Sequence, residues 1–200
     1  PAPKYQNSPK RDGVEKLTPA RALMAEAVRR YEVLGFECSN LEAQKLAWFL
    51  ERAIALHRLD NPLDLRFAAG RYGPYADRLR HLLDTLDGTY LQSEKRLADA
   101  GPADPIRFNR DRAEEVDEYM QSTEGSKYSV AIEYTSQVIE GFESPLGMEL
   151  LATVDWLVAR ERTASTVEGI RSGIAKWPGG QGSAERKQRL FKDSFIHTAL

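Results

Sequence analysis

A single cysteine, Cys38, stands among 200 residues, so no intramolecular disulfide can form. A chain of this length needs none, because a domain of its size buries about 70% of its unfolded surface. Cys38 precedes Ser39 and Asn40 at a helix start and reads as a packed side chain rather than a reactive one. One thiol also suits a reducing, cytoplasmic setting. Histidine is scarce as well: of His57, His81 and His197, none has a second His or Cys at metal-ligand spacing, so no metal site is signalled. No serine occupies a nucleophile elbow and no base accompanies Cys38. The expectation is therefore a domain with no catalytic residue and no cofactor. No apolar run approaches the ~20 residues of a bilayer span, and the polar stretch from Pro1 to Gly13 has no signal-peptide core. Charge of one sign is missing too. A net charge of −2 excludes a globally basic nucleic-acid binder, though not a local patch.

What is present is helical punctuation. Residues 1–16 carry Pro1, Pro3, Ser8, Pro9 and Gly13 and read as a linker. With no initiator methionine, the expectation is a domain taken from a longer protein, an ordinary frayed terminus being the alternative. Residues 17–200 read as one domain. Thr18-Pro19 is a cap followed by a first-turn proline. Ala20, Leu23, Met24, Ala27, Val28 and Tyr31 then share a face up to Gly35. Ser39 and Glu42 form a capping box ahead of Leu46, Phe49, Leu50, Ala53 and Leu56. Leu63-Asp64-Leu65-Arg66-Phe67 alternates and predicts a strand, with Thr89-Tyr90-Leu91 and Ile106-Arg107-Phe108 as partners. Pro74 is expected to open a third helix through Leu79, Leu82, Leu83 and Leu86. Further helices are expected over residues 111–121, from about Ser126, and after Ser144-Pro145. Two more follow a Ser165/Glu168 box and begin near Ala184. Met148 to Val158 is apolar nearly all round and belongs at a bundle centre. The fold class is thus mainly α, a helical bundle with a small antiparallel sheet of two to three short strands.

Three features invite a functional reading. Gly179-Gly180-Gln181-Gly182 leads into a helix, but no strand precedes it and no lysine follows at P-loop spacing, so a helix–helix loop is expected. Tyr72-Gly73-Pro74-Tyr75 places two rings about a tight turn, either to stack on a partner or to pin the turn to the core. Charge is the third. From Asp111 to Asp155 there are 11 acids against 2 bases, while both chain ends are basic. Such a run is either a solvated helix face or an acidic surface that attracts a basic partner. Asp155, inside an apolar helix, is either hydrogen-bonded internally or at a contact.

Three segments carry a resemblance: Leu41 to Glu51 (LEAQKLAWFLE), Leu65 to Leu91 (LRFAAGRYGPYADRLRHLLDTLDGTYL) and Glu140 to Val158 (EGFESPLGMELLATVDWLV). Together they resemble the C-terminal domain of the DarG family, the DNA ADP-ribosyl glycohydrolase antitoxins. The first two also distantly resemble the Panacea-type antitoxin domain. The resemblance implies that a glycohydrolase macrodomain, absent from this chain, carries the family's chemistry. It also implies that this domain binds a DarT-type toxin, an NAD-dependent ADP-ribosyltransferase acting on single-stranded DNA. On that footing Glu133, Glu140 and Glu143, with Tyr72 and Tyr75, are expected to contact the toxin and mimic phosphates. The alternative is a nucleic-acid-binding domain using the basic ends with Arg66, Arg71, Arg78 and Arg80. A small enzyme with an unfamiliar site is a third reading.

Overall fold

The computed structural model of the chain describes residues 16–33 and 35–200. The linker reading of residues 1–16 lies, Lys16 apart, outside the described residues, as do Lys4, Lys10 and Arg11. Thr18 does sit just ahead of the first helix, α1 (Pro19–Val33). Its Oγ1 accepts from the Arg21 amide at 3.4 Å. Gly35 follows at φ +83, a left-handed backbone that glycine adopts without a Cβ clash. Strand β1 (Cys38–Ser39) runs directly into α2 (Asn40–Leu56), whose capping box is complete. Ser39 Oγ accepts from the Glu42 amide at 3.4 Å, and Glu42 Oε2 accepts from the Ser39 amide at 2.8 Å.

Helix α2 is the axis of the molecule. It packs along α6 (Ser129–Ile139) and α7 (Pro145–Ala159). Ala43, Leu46, Trp48, Phe49, Leu50, Ala53 and Ile54 are buried, whereas Leu56, expected inside, is 58% exposed at the helix end. Helix α7 is covered on nearly every side, as its apolar sequence requires. Ser144 caps it and Pro145 occupies its first turn. The chain's three tryptophans meet beside it: Trp48 and Trp156 have ring centres 5.2 Å apart, Trp156 and Trp177 6.4 Å.

Several local expectations are corrected. Residues 63–67 are not a strand. Leu63 and Leu65 are buried in alternation with exposed neighbours, but Asp64 and Arg66 have φ of +44 and +57, so the backbone is not extended. The two hairpin strands lie just beyond, β2 (Ala68–Gly70) against β3 (Gly73–Tyr75), with Gly70 opposite Gly73. Pro74 therefore sits in a strand, and α3 opens later, at Asp77–Leu86. The second sheet has the order β1-β5-β4, with β4 at Leu91–Gln92 and β5 at Pro105–Phe108, antiparallel throughout. Thr89 to Leu91 and Ile106 to Phe108, expected to partner residues 63–67, instead pair with each other through β4 and β5, and the third strand is Cys38-Ser39. Two residues are too short to show an alternating pattern.

The rest of the bundle comprises α4 (Ala113–Gln121), α5 (Thr123–Ser126), α8 (Val167–Ala175), α9 (Gln181–Leu190) and α10 (Asp193–Thr198). The helix expected from Ser126 is split into α5 and α6. Thr166 rather than Ser165 caps α8, accepting from the Gly169 amide at 3.1 Å. The last helix expected from Ala184 is likewise two, α9 and α10. The fold is mainly helical with small antiparallel sheets.

Candidate protein-binding surfaces

The β2–β3 hairpin carries Tyr72 and Tyr75, and side chains from distant elements hold it from beneath. Gln44 grips the strand end with both amide atoms, donating to the Ala76 carbonyl at 3.1 Å and accepting from its amide at 2.9 Å. Lys45 Nζ donates to the Pro74 carbonyl at 2.7 Å. Trp177 Nε1 donates to the Gly70 carbonyl at 2.9 Å, and Ser183 Oγ to the Arg71 carbonyl. The turn thus has its buried backbone acceptors satisfied, as burial demands. Gly73 sits at φ +93 against α7, where an added Cβ would lie 3.2 Å from Thr153 Oγ1. The Gly179-Gly180 loop serves this contact too. A Cβ on Gly179 would come within 2.5 Å of the Gly70 carbonyl oxygen. That loop is a close helix–hairpin packing point, which explains its glycines without a phosphate.

Below the hairpin lies a buried charge cluster. Glu149, in α7, accepts from Lys187 Nζ at 2.7 Å and from Arg186 Nη1 at 2.6 and 2.8 Å. The side chains of Glu149 and Lys187 are 1% and 0% exposed. Burial lowers the Lys187 pKa, Glu149 opposing the shift. Burial, with Lys187 adding to it, lowers that of Lys45 to about 7. Arg186 also lies over the Tyr72 ring at 4.9 Å, and Arg71 over the same ring at 5.4 Å.

A cavity of about 200 Å³ opens beside the hairpin, and Tyr72, Tyr75 and Arg71 line it with Leu41, Lys45 and Pro102. Glu133, Glu140 and Glu143 do not line it. By helical spacing, Leu41, Gln44 and Lys45 occupy one side of α2 and Glu42 another. Glu42 accepts from the Tyr31 hydroxyl at 2.5 Å, and Glu143 is within electrostatic reach of that hydroxyl. Glu143 thus lies toward Tyr31, and Glu133 faces Arg30 of α1, so neither is brought to the tyrosine pair.

Folding redistributes the acidic run. Asp117 pairs with Arg29, Glu133 with Arg30, Glu115 with Arg112, Asp155 with Arg52, and Glu149 with the basic C-terminal helix. Asp155 is settled as an internal acceptor, since Trp48 Nε1 donates to it at 2.8 Å. The acids that form no ion pair among the described residues include Glu114, Glu118, Glu124 and Glu140, all exposed. Helices α4, α5 and α6, which carry or adjoin these acids, all pack on α1. Large exposed apolar side chains lie on the same elements and turns: Val33, Phe36, Val130, Tyr134 and Leu146. Phe36 packs on Tyr31, with ring centres 6.2 Å apart, and Leu146 follows Glu143 into α7. Among the described residues no group of His, Cys, Asp and Glu is arranged to hold a metal. Among the described residues no helix is long and apolar enough to cross a membrane.

Sequence reasoning missed Gln44, Lys45 and the Glu149 cluster. Their signal was the one noticed for Asp155, polar residues on an otherwise apolar buried helix. Of the arginines considered for a nucleic-acid footprint, Arg78 and Arg66 pair with Asp64, and Arg80 with Asp77. Arg71 forms no ion pair among the described residues.

No family model matches the chain. Individual proteins do. A Mycobacterium tuberculosis (strain ATCC 25618 / H37Rv) protein named DNA ADP-ribosyl glycohydrolase is 32% identical over 208 residues, covering 94% of this chain and 54% of that protein. A Thermus aquaticus protein of the same name is 38% identical over 146 residues, covering 73% of this chain and 38% of that protein. The chain thus spans about half the length of the curated relatives it matches. With that identity sustained across most of its residues, the chain is similar to one part of the proteins named DNA ADP-ribosyl glycohydrolase.

Proposed function

We propose that this domain is an antitoxin module that binds and neutralises a DarT-like, DNA-ADP-ribosylating toxin. In this reading the glycohydrolase chemistry named for the relatives belongs to the part of those proteins that this chain does not match. The domain itself acts by binding and not by catalysis, and the encounter takes place in the cytoplasm, where the toxin meets DNA. The observation that supports the reading is the set of exposed carboxylates on α4, on α5 and at the end of α6 that form no ion pair among the described residues, together with exposed apolar side chains on α6 and after α1. A protein that grips single-stranded DNA presents cations spaced for phosphates and apolar surface for bases. A surface offering Glu140, Glu143 and neighbouring acids beside Tyr134, Val130 and Phe36 has the complementary chemistry. Glu133 contributes less charge than its sequence suggests, because Arg30 already faces it. Tyr72 and Tyr75 make a separate contact in this scheme.

Replacing Glu140 and Glu143 by Lys tests the placement. Binding to the cognate toxin is expected to weaken at least about tenfold, mainly through slower association, with a shallower salt dependence. Unchanged affinity together with unchanged salt dependence would sink it. The alternative is a nucleic-acid-binding domain that brings an attached macrodomain to modified DNA. It rests on Arg71 and Arg186 at the Tyr72 ring. Tight, salt-sensitive single-stranded DNA binding by this chain alone would favour it.

A further inference from the structure

The cavity beside the hairpin has walls whose buried polar atoms are engaged, Asn40 Oδ1 apart. Lys45 turns its ammonium inward to the Pro74 carbonyl, and Gln44 uses both amide atoms on Ala76. Asn40 Nδ2 donates to the Ala100 carbonyl at 2.8 Å. What remains to meet an occupant is the Lys45 stem, the two tyrosine rings, Leu41 and Pro102. Such walls reward apolar contact, and the one acceptor they leave without a partner among the described residues is Asn40 Oδ1. The size is equally restrictive. About 200 Å³ is below the ~300–1,000 Å³ typical of cofactor and small-molecule sites, and it suits a single large side chain. At the rim, Arg71 is exposed and forms no ion pair among the described residues, although the neighbouring Arg186 and Arg80 have carboxylates.

From this we infer that the cavity seats one aromatic side chain of a bound protein, and that Arg71 meets a carboxylate next to that anchor on the same segment. The inference rests on the reading of the domain as a protein-binding module and adds the chemistry of the segment it holds. The anchor buries its ring between Tyr72 and Tyr75, with edge or offset contacts to each. The two cations on Tyr72 keep that ring in place before binding, so little ordering accompanies capture. The polar props beneath the hairpin act as positioning residues and do not touch the occupant.

The test is a titration of the described chain with blocked dipeptides, followed by backbone NMR. The probes are acetyl-Phe-Asp-amide, acetyl-Phe-Lys-amide and thymidine 5′-monophosphate. Acetyl-Phe-Asp-amide is expected to shift the amides of Leu41, Tyr72, Gly73 and Tyr75 in a saturable way. It should bind about two- to fivefold more tightly than the Lys peptide, as for an exposed ion pair, and Arg71→Ala should abolish that difference. Leu41→Trp fills the cavity and should remove the shifts. Tyr75→Ala opens it and should weaken binding severalfold, which keeps the test valid if the larger residue disturbs the fold. Absence of saturable shifts at these residues would overturn the inference, and so would tighter binding of the nucleotide than of either peptide. The toxin separates the two levels of argument. If Tyr75→Ala leaves toxin affinity unchanged while the peptide titration succeeds, the toxin's anchor lies elsewhere and the inference fails for that partner, with the antitoxin reading intact. If the unaltered chain does not bind the toxin, the antitoxin reading fails, and the titration still decides the cavity.

Discussion

Glu149 is the residue on which the C-terminal helices depend electrostatically. It is buried in α7 and is the acceptor for both Arg186 and Lys187. Substituting Gln would leave the fully buried Lys187 ammonium with no counter-charge. Breaking a buried pair from one side costs about 3–5 kcal/mol. Glu149→Gln is therefore expected to lower the melting temperature by roughly 10 °C or more, at ~2–4 °C per kcal/mol for a domain of this size. Replacing both partners, Glu149→Leu with Lys187→Met, is expected to recover much of the loss, because no uncompensated charge then stays buried. Calorimetry on the single and double variants checks this, and a double variant as unstable as the single would contradict it. Residues of this kind are hard to read in sequence. Glu149 looks like one more acid in an acidic run; its place on an otherwise apolar helix is the only local signal, and its partners on α9 show that it is internal.

Among the elements, α2 was the most legible and the hairpin the least. The helix announces itself through its cap and its apolar spacing, both local properties. Ser39→Ala removes the hydroxyl that accepts from the Glu42 amide, and it takes one of two donors from the buried Glu42 Oε2, which keeps the backbone amide of residue 39. The expected cost is about 1–2 kcal/mol, read as a lower urea midpoint with an unchanged slope. No loss of stability would mean that β1, and not the cap, sets the start of α2. The hairpin is different. Its strands have three residues each, and its register follows from Gly70 opposite Gly73 and from props on α2, on the loop between α8 and α9, and on α9. The alternation at residues 63–67 was a true burial pattern carried by a backbone that is not a strand. Alternate burial needs only alternate side-chain directions, and positive φ at Asp64 and Arg66 supplies them.

At the scale of the whole molecule, the buried amines shape how stability varies with pH. Lys45 has a folded pKa of about 7 against 10.5 for an ordinary lysine, and that of Lys187 is also lowered. Between those values the unfolded chain holds a proton on Lys45 that the folded chain lacks. Stability from this source therefore increases as pH rises from about 7 toward 10, and it is lost on descending through that window. Below about 7 both states are protonated and the contribution stays flat. Buried Tyr31, held protonated above its ordinary value of 10.0 by burial and Glu42, acts oppositely at higher pH. The expected profile climbs from pH 7 to about 9.5 and falls beyond it. Lys45→Met should flatten the climb, as followed by urea unfolding at pH 7 and 9. An equal rise in the variant would assign the slope to other groups.

The sequence alone determined that this is a mainly helical domain without a disulfide framework, and it located most helix starts, because caps and apolar spacing act within a few residues. It also held the family resemblance that the relatives support. Which charges are free was decided only by tertiary structure. The basic C-terminal helix folds back onto Glu149, and α1 brings Arg29 and Arg30 to Asp117 and Glu133. Coulomb attraction depends on distance in space and not along the chain, so a run of acids in sequence becomes an acidic surface only where folding brings no cation to it.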